Sequence, residues 1–596
     1  MSVLDRIERL RNVMEQQKID CYIIPTDDYH HSEYVGDYFK FREYITGFTG
    51  SAGTAVFTKD KAGLWTDGRY FIQAEAQLKG SGITLYKSGE SDVPTIEEFL
   101  KSELKEGDVL GFDGRTVTYA QGKRYCHIAD ENGASLKYSL DFAQNIWKER
   151  PEMSMEPVFS LEDEYTGEKI GSKLERIREI MKENGCNAHV LSSLDDIAWL
   201  LNIRGNDIAY CPLVLSYAIV YNNSVELFAD IRKFSDDIIN LLAENQVKIY
   251  PYEDIYRKVS EMTSEDKLLL DSAIMNYSLY QAISKETVIV DKQNPEILMK
   301  SVKNETQAAN LRKAHLKDAV AHTKFMYWLK KNIGRVEITE LSASARLEGL
   351  RAEQEHFLGP SFGPISAYGE HGAIVHYSAD EKSNVPLKEG KLFMTDTGGH
   401  YLEGSTDITR TVALGEVGDI EKEHFTLVAR AMLRLANTVF LYGCSGANLD
   451  CIAREVFWKE GLNFNHGTGH GVGYLLNIHE GPINFRWKEG ERPAPALEEN
   501  MVITDEPGIY IEGSHGIRLE NELLVRKTVK NEYGQFMNFE ILTYVPIDLD
   551  AILPEKMSTE EKEMLNHYHK QVYEKVSPYL SEEERIWLKE YTRAVK

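Results

Sequence analysis

Cysteine is scarce in this 596-residue chain: Cys21, Cys126, Cys186, Cys211, Cys444 and Cys451 are the six present, and no two form a C-x-x-C pair. That spacing argues against a disulfide framework, and reduced thiols in a cytoplasmic chain are expected. The two N-x-S/T sequons, at Asn222 and Asn304, are then chance occurrences. Basic charge is the second shortage. Lys and Arg number 68 against 94 Asp and Glu, a formal net charge of −26. Such a surface repels phosphate backbones and anionic headgroups, so neither nucleic acid nor membrane is an expected partner. Long apolar runs are missing too. Nothing approaches the roughly 20 residues of a membrane span, and the opening Met1-Ser-Val-Leu-Asp-Arg-Ile-Glu scatters charge where a secretory signal would be apolar.

Hydrophobic residues make up 42% and aromatics 10%, enough for several packed cores, and the length divided by about 150 residues per domain suggests three or four domains. Two segments begin alike. Residues 3–24 (VLDRIERLRNVMEQQKIDCYII) and 170–191 (IGSKLERIREIMKENGCNAHVL) each pair an amphipathic helix pattern with a short polar turn and a β-rich run. Each is followed by strand-like pieces and a helix, which predicts a tandem α/β duplication joined near Pro151–Glu164. A long helical pattern near Asn304–Lys331 then opens a third region. There strands alternate with helices such as Ile420–Leu441, as far as about Pro546. The tail carries two capping-box starts, Ser558…Glu561 and Ser581…Glu584, and reads as a helical appendage.

The chemistry concentrates in the third region. In LFMTDTGGHYLEGSTDITRT, Asp396 sits in an apolar run, and a turn at Glu403-Gly404 would bring it beside Asp407 on a hairpin. A buried carboxylate without a partner costs several kcal/mol, so this one calls for a cation. In NHGTGHGVGYLLNIHEGP, His466, His470 and His479 stand among glycines that remove side-chain bulk. The glycine spacing does not fit a dinucleotide fingerprint. In VITDEPGIYIEGSHGIRLENELLV, Glu506 ends an apolar strand and Glu520 falls in the next; beside Arg518, Glu520 reads equally well as an ordinary ion pair. Four carboxylates and one imidazole suit two Mn²⁺, Co²⁺ or Zn²⁺ ions, whose charge they balance.

The ordered set Asp396, Asp407, His470, Glu506 and Glu520, within the strings TDTGGHYLEGSTDITRT, HGTGHGVG, EPG and GIRLEN, resembles the ligand set of the pita-bread metallopeptidases. Within them it is most similar to the three-domain, cytosolic-type aminopeptidase P (Xaa-Pro aminopeptidase) family. The stretch EYITGFTGSAGTAVFTKDKAGLWTDGRYFIQA resembles that family's first creatinase-like domain. The resemblance implies an α/β and α+β multidomain fold. Its parts would be creatinase-like domains at 1–155 and 156–303, then a pita-bread catalytic domain at 304–596 with a helical tail from about 551.

By the same resemblance, Asp396 would hold one metal, Asp407 and Glu520 would bridge, and His470 and Glu506 would complete the second site. His376 and His479 would serve at the substrate and the tetrahedral intermediate, His466 beside the proline pocket, and Arg518 and Tyr510 close to the ligands. Glu506 would handle the proton. The implied activity is release of the first residue from Xaa-Pro-Yaa peptides by hydroxide attack from a dinuclear centre. Manganese is the first expectation, with cobalt or zinc as alternatives, and a homodimer is implied. A prolidase acting on Xaa-Pro dipeptides shares fold and ligands, and a non-catalytic histone-binding module shares the fold.

Overall fold

The computed structural model describes residues 1–488, 490 and 492–596. The chain divides into two compact units, Met1–Leu161 with Glu168–Glu296, and Glu162–Gly167 with Ile297–Lys596.

The first unit uses one plan twice. Its opening helix, Val3–Gln17, starts at a Ser2 capping box, buries Ile7, Leu10 and Met14 at helical spacing, and ends at Lys18 in the left-handed region. The counterpart, Ile170–Glu183, buries Leu174, Ile177 and Met181 in the same manner. Each helix leads into a buried strand, Cys21–Pro25 and Ala188–Leu191. These belong to two six-stranded sheets. With the strands of each numbered in chain order, both run 4-3-2-1-5-6. The pairing senses also agree: 1–2 and 2–3 are antiparallel in both sheets, while 3–4, 1–5 and 5–6 are parallel. Two unrelated α/β lobes would not share order and sense throughout, so the architecture is a duplicated one. Residues 151–158 between the copies form no helix or strand.

The second unit opens with the 28-residue helix Glu305–Asn332, whose Asn304 cap and Gln307 form a reciprocal box. Helices Glu340–Ala352, Asp419–Ala436 and Gly446–Trp458 follow. Two sheets carry the candidate site. In the smaller, Lys391–Thr397 pairs antiparallel with Ile365–Tyr368 on one side and Ile408–Leu414 on the other. The larger has six strands in the spatial order Phe440–Leu441, Gly534–Ile541, Asn521–Asn531, Val502–Asp505, Gly469–Val472, His479–Phe485.

Three details differ from expectation. The helix expected over Ile420–Leu441 stops at Ala436, because β-branched Thr438 and Val439 follow and Phe440–Leu441 pairs with Phe536 and Met537 as an edge strand. Glu520 lies between strands His515–Arg518 and Asn521–Asn531 rather than inside one. The tail is no appendage. Helices Thr559–Val576 and Glu582–Tyr591 start at their Ser558 and Ser581 boxes, and Leu565, Tyr568, Val572, Val576 and Leu588 belong to the unit's main core.

Candidate metal centre

The Asp396 hairpin forms because seven-residue strands pair in register, Asp396 opposite Thr409 and Thr397 opposite Ile408. A small excursion, Gly399–Tyr401 against Gly404–Ser405, sits between them, so Asp407 falls one residue before its strand and beside Asp396. His470 comes from Gly469–Val472 in the larger sheet. A Cβ on Gly469 would stand 1.9 Å from the Thr504 carbonyl, and one on Gly471 2.2 Å from that of Glu480. Glycine on both sides of His470 is thus what lets its strand lie so close to its neighbours. Glu506 directly follows Val502–Asp505.

These elements converge. The ligand atoms of Asp396, Asp407 and Glu520 lie within 4.8 Å of one another, as do those of His470, Glu506 and Glu520, and those of Asp407, His470 and His479. His470 Nε2 is 3.4 Å from Asp407 Oδ2 and 3.7 Å from Glu506 Oε1. The His479 ring stands edge-on to that of His470 with centroids 4.3 Å apart.

The electrostatics favour bound cations. Burial, reinforced by Asp396, pushes the Asp407 carboxyl well above the usual carboxylate range. Burial, with Asp407 and Glu506 adding to it, does the same to Glu520. Glu506 is also raised, chiefly by burial, against the pull of His470. His470 Nδ1 lies 2.9 Å from the Gly471 carbonyl. A carbonyl only accepts, so Nδ1 carries a proton and Nε2 is the nitrogen turned toward the carboxylates. Asp396 Oδ1 is buried with no hydrogen-bond partner. Hard oxygens with one imidazole suit divalent ions of the manganese-to-zinc series.

Arg518 pairs with Asp396 through Nε at 3.1 Å and through Nη2, not with Glu520 two residues on. Glu520 lies beyond the end of strand His515–Arg518, where it takes Thr409 as its partner instead. Arg518 Nη1 also donates to Tyr510 Oη at 2.7 Å, and His466 Nε2 accepts from that hydroxyl at 2.8 Å. His466 Nδ1, 2.7 Å from the Gly467 carbonyl, holds the ring proton. Burial, with Arg518 beside it, takes His466 down to about 3, so the ring is neutral. Burial pushes Tyr510 up to about 12. The chain His466–Tyr510–Arg518–Asp396 therefore joins the glycine-rich loop to the carboxylates. His376 follows the turn Gly369–Ala373, and the carbonyl of its neighbour Val375 accepts from Arg518 Nη2 at 3.3 Å.

Several supporting residues escaped the sequence reading. Glu522 accepts the Asp407 backbone N–H at 2.6 Å and faces His315 at 3.1 Å. Thr409 Oγ1 donates to Glu520 Oε2 at 2.7 Å. Asp318 is gripped by Arg351 at 2.6 Å, and Arg351 also donates to the Thr397 carbonyl. Asp450 and Arg454, a buried pair one helical turn apart, hold the loop before His470 by a bond from Arg454 to the His466 carbonyl at 2.6 Å. The only sequence trace of these was charge in otherwise apolar stretches, such as Glu522 in RLENELLV and His315 and Asp318 on one helix face.

Models of known families match most of the chain. The creatinase/prolidase N-terminal domain matches residues 6–137 and again 149–307, metallopeptidase family M24 matches 309–527, and the C-terminal region of peptidase M24 matches 535–595. The chain is 36% identical to Xaa-Pro aminopeptidase 1 of Dictyostelium discoideum over 97% of its length and 94% of the relative's. It is 34% identical to aminopeptidase P1 of Arabidopsis thaliana over 99% of both chains. Among solved structures it is similar to the X-prolyl aminopeptidase of Caenorhabditis elegans, described as a cytosolic enzyme with a di-nuclear active site, with TM-score 0.95, 33% identity and full coverage of both chains. A Xaa-Pro dipeptidase from Bacillus anthracis is also similar, with TM-score 0.51 and 25% identity, covering 64% of this chain and 99% of that one.

Proposed function

The chain belongs to metallopeptidase family M24, and we propose that it is a Xaa-Pro aminopeptidase that releases the first residue of peptides with proline second. The observation that carries this reading is the convergence of four carboxylates and the His470 imidazole in one pocket, in a chain that aminopeptidases P match over nearly its whole length. Asp396, Asp407, His470, Glu506 and Glu520 would hold the two divalent ions. When bound, such a pair supplies a Lewis acid for the scissile carbonyl and a water acidified enough to attack near neutral pH. We take the ions to be manganese.

The remaining chemistry falls to side chains. Glu506, raised by burial, takes a proton from the attacking water and returns it to the leaving proline nitrogen. His479, beside His470, donates to the oxygen that gains charge as the carbonyl becomes tetrahedral, and His376 binds the neighbouring peptide oxygen. Neutral His466, fixed by Tyr510, walls the pocket for the proline ring. Proline suits such a wall because its nitrogen lacks the N–H that a buried site would have to satisfy. The clustered acid groups attract the substrate's free amine, which restricts cleavage to the first residue.

No helix among the described residues is long and apolar enough to cross a membrane. The cytosolic setting of the nematode relative and a homodimer are part of this proposal, as are domain limits at 1–155, 156–303 and 304–596. Action on longer peptides is favoured over a dipeptidase role because the Bacillus anthracis dipeptidase has no counterpart for about a third of this chain. The test is chromatographic: Xaa-Pro-Yaa, Xaa-Pro and Xaa-Ala-Yaa peptides are incubated with Mn²⁺ or chelator. The proposal expects release of the first residue from Xaa-Pro-Yaa with Mn²⁺, little from Xaa-Ala-Yaa, and none with chelator. Cleavage of Xaa-Pro alone would make the enzyme a prolidase.

A further inference from the structure

The tail helix Thr559–Val576 reaches the metal ligands through a buried arginine. Arg410 is completely buried, as are Tyr568 on the tail helix and Glu520 to within 1%. Arg410 gives all six of its hydrogen bonds to neutral oxygens. Nη1 goes to the carbonyls of Thr409 (2.8 Å) and Glu520 (2.5 Å), Nη2 to Asn521 Oδ1 (2.8 Å), Val545 O (2.9 Å) and Tyr568 Oη (2.7 Å), and Nε to Val545 O (3.3 Å). The Tyr568 hydroxyl in turn donates to Val545 O at 2.6 Å.

The fork of Arg410 thus holds the two backbone positions that aim Glu520. Thr409 binds the Glu520 carboxylate through Oγ1 and the Glu520 N–H through its carbonyl at 3.1 Å. A ligand that spans two ions tolerates little misplacement, since second partners fix the orientation of first ones and their loss commonly weakens metal binding 10- to 100-fold. Leu565 and Val572, on the same face of the helix as Tyr568, only pack into the core; the phenol oxygen is the one tail atom in this chain of bonds.

We propose that Tyr568 is a positioning residue for the dinuclear centre, acting through Arg410 on Glu520, so that the tail helix sets metal affinity rather than merely closing the fold. This rests on the function proposed above. A bulky buried arginine with only neutral partners is held by the number and direction of its acceptors: the two Nη2 hydrogens are shared among Asn521 Oδ1, Val545 O and Tyr568 Oη, so losing the phenol oxygen removes one of three anchors and frees the fork to shift.

The experiment compares the full-length enzyme with Tyr568→Phe, which deletes only the hydroxyl, and Val572→Ala, which loosens the same helix one turn away but keeps the hydroxyl. Each apoprotein is titrated with Mn²⁺, reading free ion by electron paramagnetic resonance and bound ion by calorimetry, and melting is followed alongside. The expected result is about a 10-fold weaker second Mn²⁺ in Tyr568→Phe, with activity falling at limiting Mn²⁺ and returning in excess, while Val572→Ala melts lower yet titrates as wild type. Wild-type affinity in Tyr568→Phe overturns the inference alone, as does equal weakening by Val572→Ala, which would make the effect one of packing. A wild-type enzyme that takes up fewer than two ions overturns the functional reading and this inference with it.

Discussion

Replacing Asp407 by Asn has opposite consequences with and without metal. In the apoprotein Asp407 shares its pocket with Asp396 and Glu520, ligand oxygens within 4.8 Å of one another. Two unit charges at that separation repel by about 3.5 kcal/mol at an effective dielectric of about 20. Burial raises Asp407 and Glu520 and lets a proton discharge part of the repulsion, so the relief on removing the Asp407 charge is about 2 kcal/mol. The Asp407 N–H keeps its bond to Glu522, and the amide of Asn finds acceptors among the remaining acids. In a unit of about 300 residues, an unfolding entropy of about 2.1 cal/mol/K per residue makes one kcal/mol worth about 1.6 °C, so apo Asp407→Asn should melt about 3 °C above apo wild type. With metal the order reverses. Each site filled at 100 times its dissociation constant adds about 2.7 kcal/mol to wild type, and the variant, short of one of the proposed ligands, should gain little and turn over no substrate. Differential scanning calorimetry of chelated and Mn²⁺-loaded protein at pH 8 reads both signs. An apo variant less stable than apo wild type would refute the argument, and so would a variant that Mn²⁺ stabilises normally and that still turns over.

Glu522→Ala strips the acceptor from the buried Asp407 N–H, which should cost about 1–3 kcal/mol of stability and weaken Mn²⁺ binding, checked by calorimetric titration beside a melt. Acid should destabilise the protein through buried histidines. Burial takes His30 down to about 4 and His569 to about 3, against an ordinary value near 6.5. The unfolded chain therefore binds protons that the folded one refuses, and stability present above pH 6.5 is lost as pH falls toward 4. In His569→Gln, whose side-chain oxygen can accept the Ile547 N–H that His569 Nε2 now accepts, melting between pH 7 and 5 should be less pH-dependent by up to about 1.4 kcal/mol per pH unit. Equal slopes in variant and wild type would contradict this.

Local signals were the legible ones. The boxes at Ser558 and Ser581 appear where the sequence pattern puts them because a cap involves residues three apart. The repeated helix–strand opening is readable for the same reason, and it foretells the duplicated sheets. The acids and histidines of the centre were conspicuous because charge in apolar strands has to be compensated. What stayed hidden are contacts between residues far apart in sequence. Arg518 reaches Asp396, 122 residues away, and Tyr568 reaches Arg410, 158 residues away. No periodicity encodes which distant partner a buried charge will take, so Arg518 looked like a partner for Glu520 two residues on, and the tail looked detached from the site.

The most direct test of the central claim is an anomalous difference map from crystals of the full chain soaked in Mn²⁺. The account predicts two peaks, one against Asp396 and the other against His470 Nε2 and Glu506, with Asp407 and Glu520 reaching both. A map with no peak among these five side chains, or with ions held elsewhere, would contradict it.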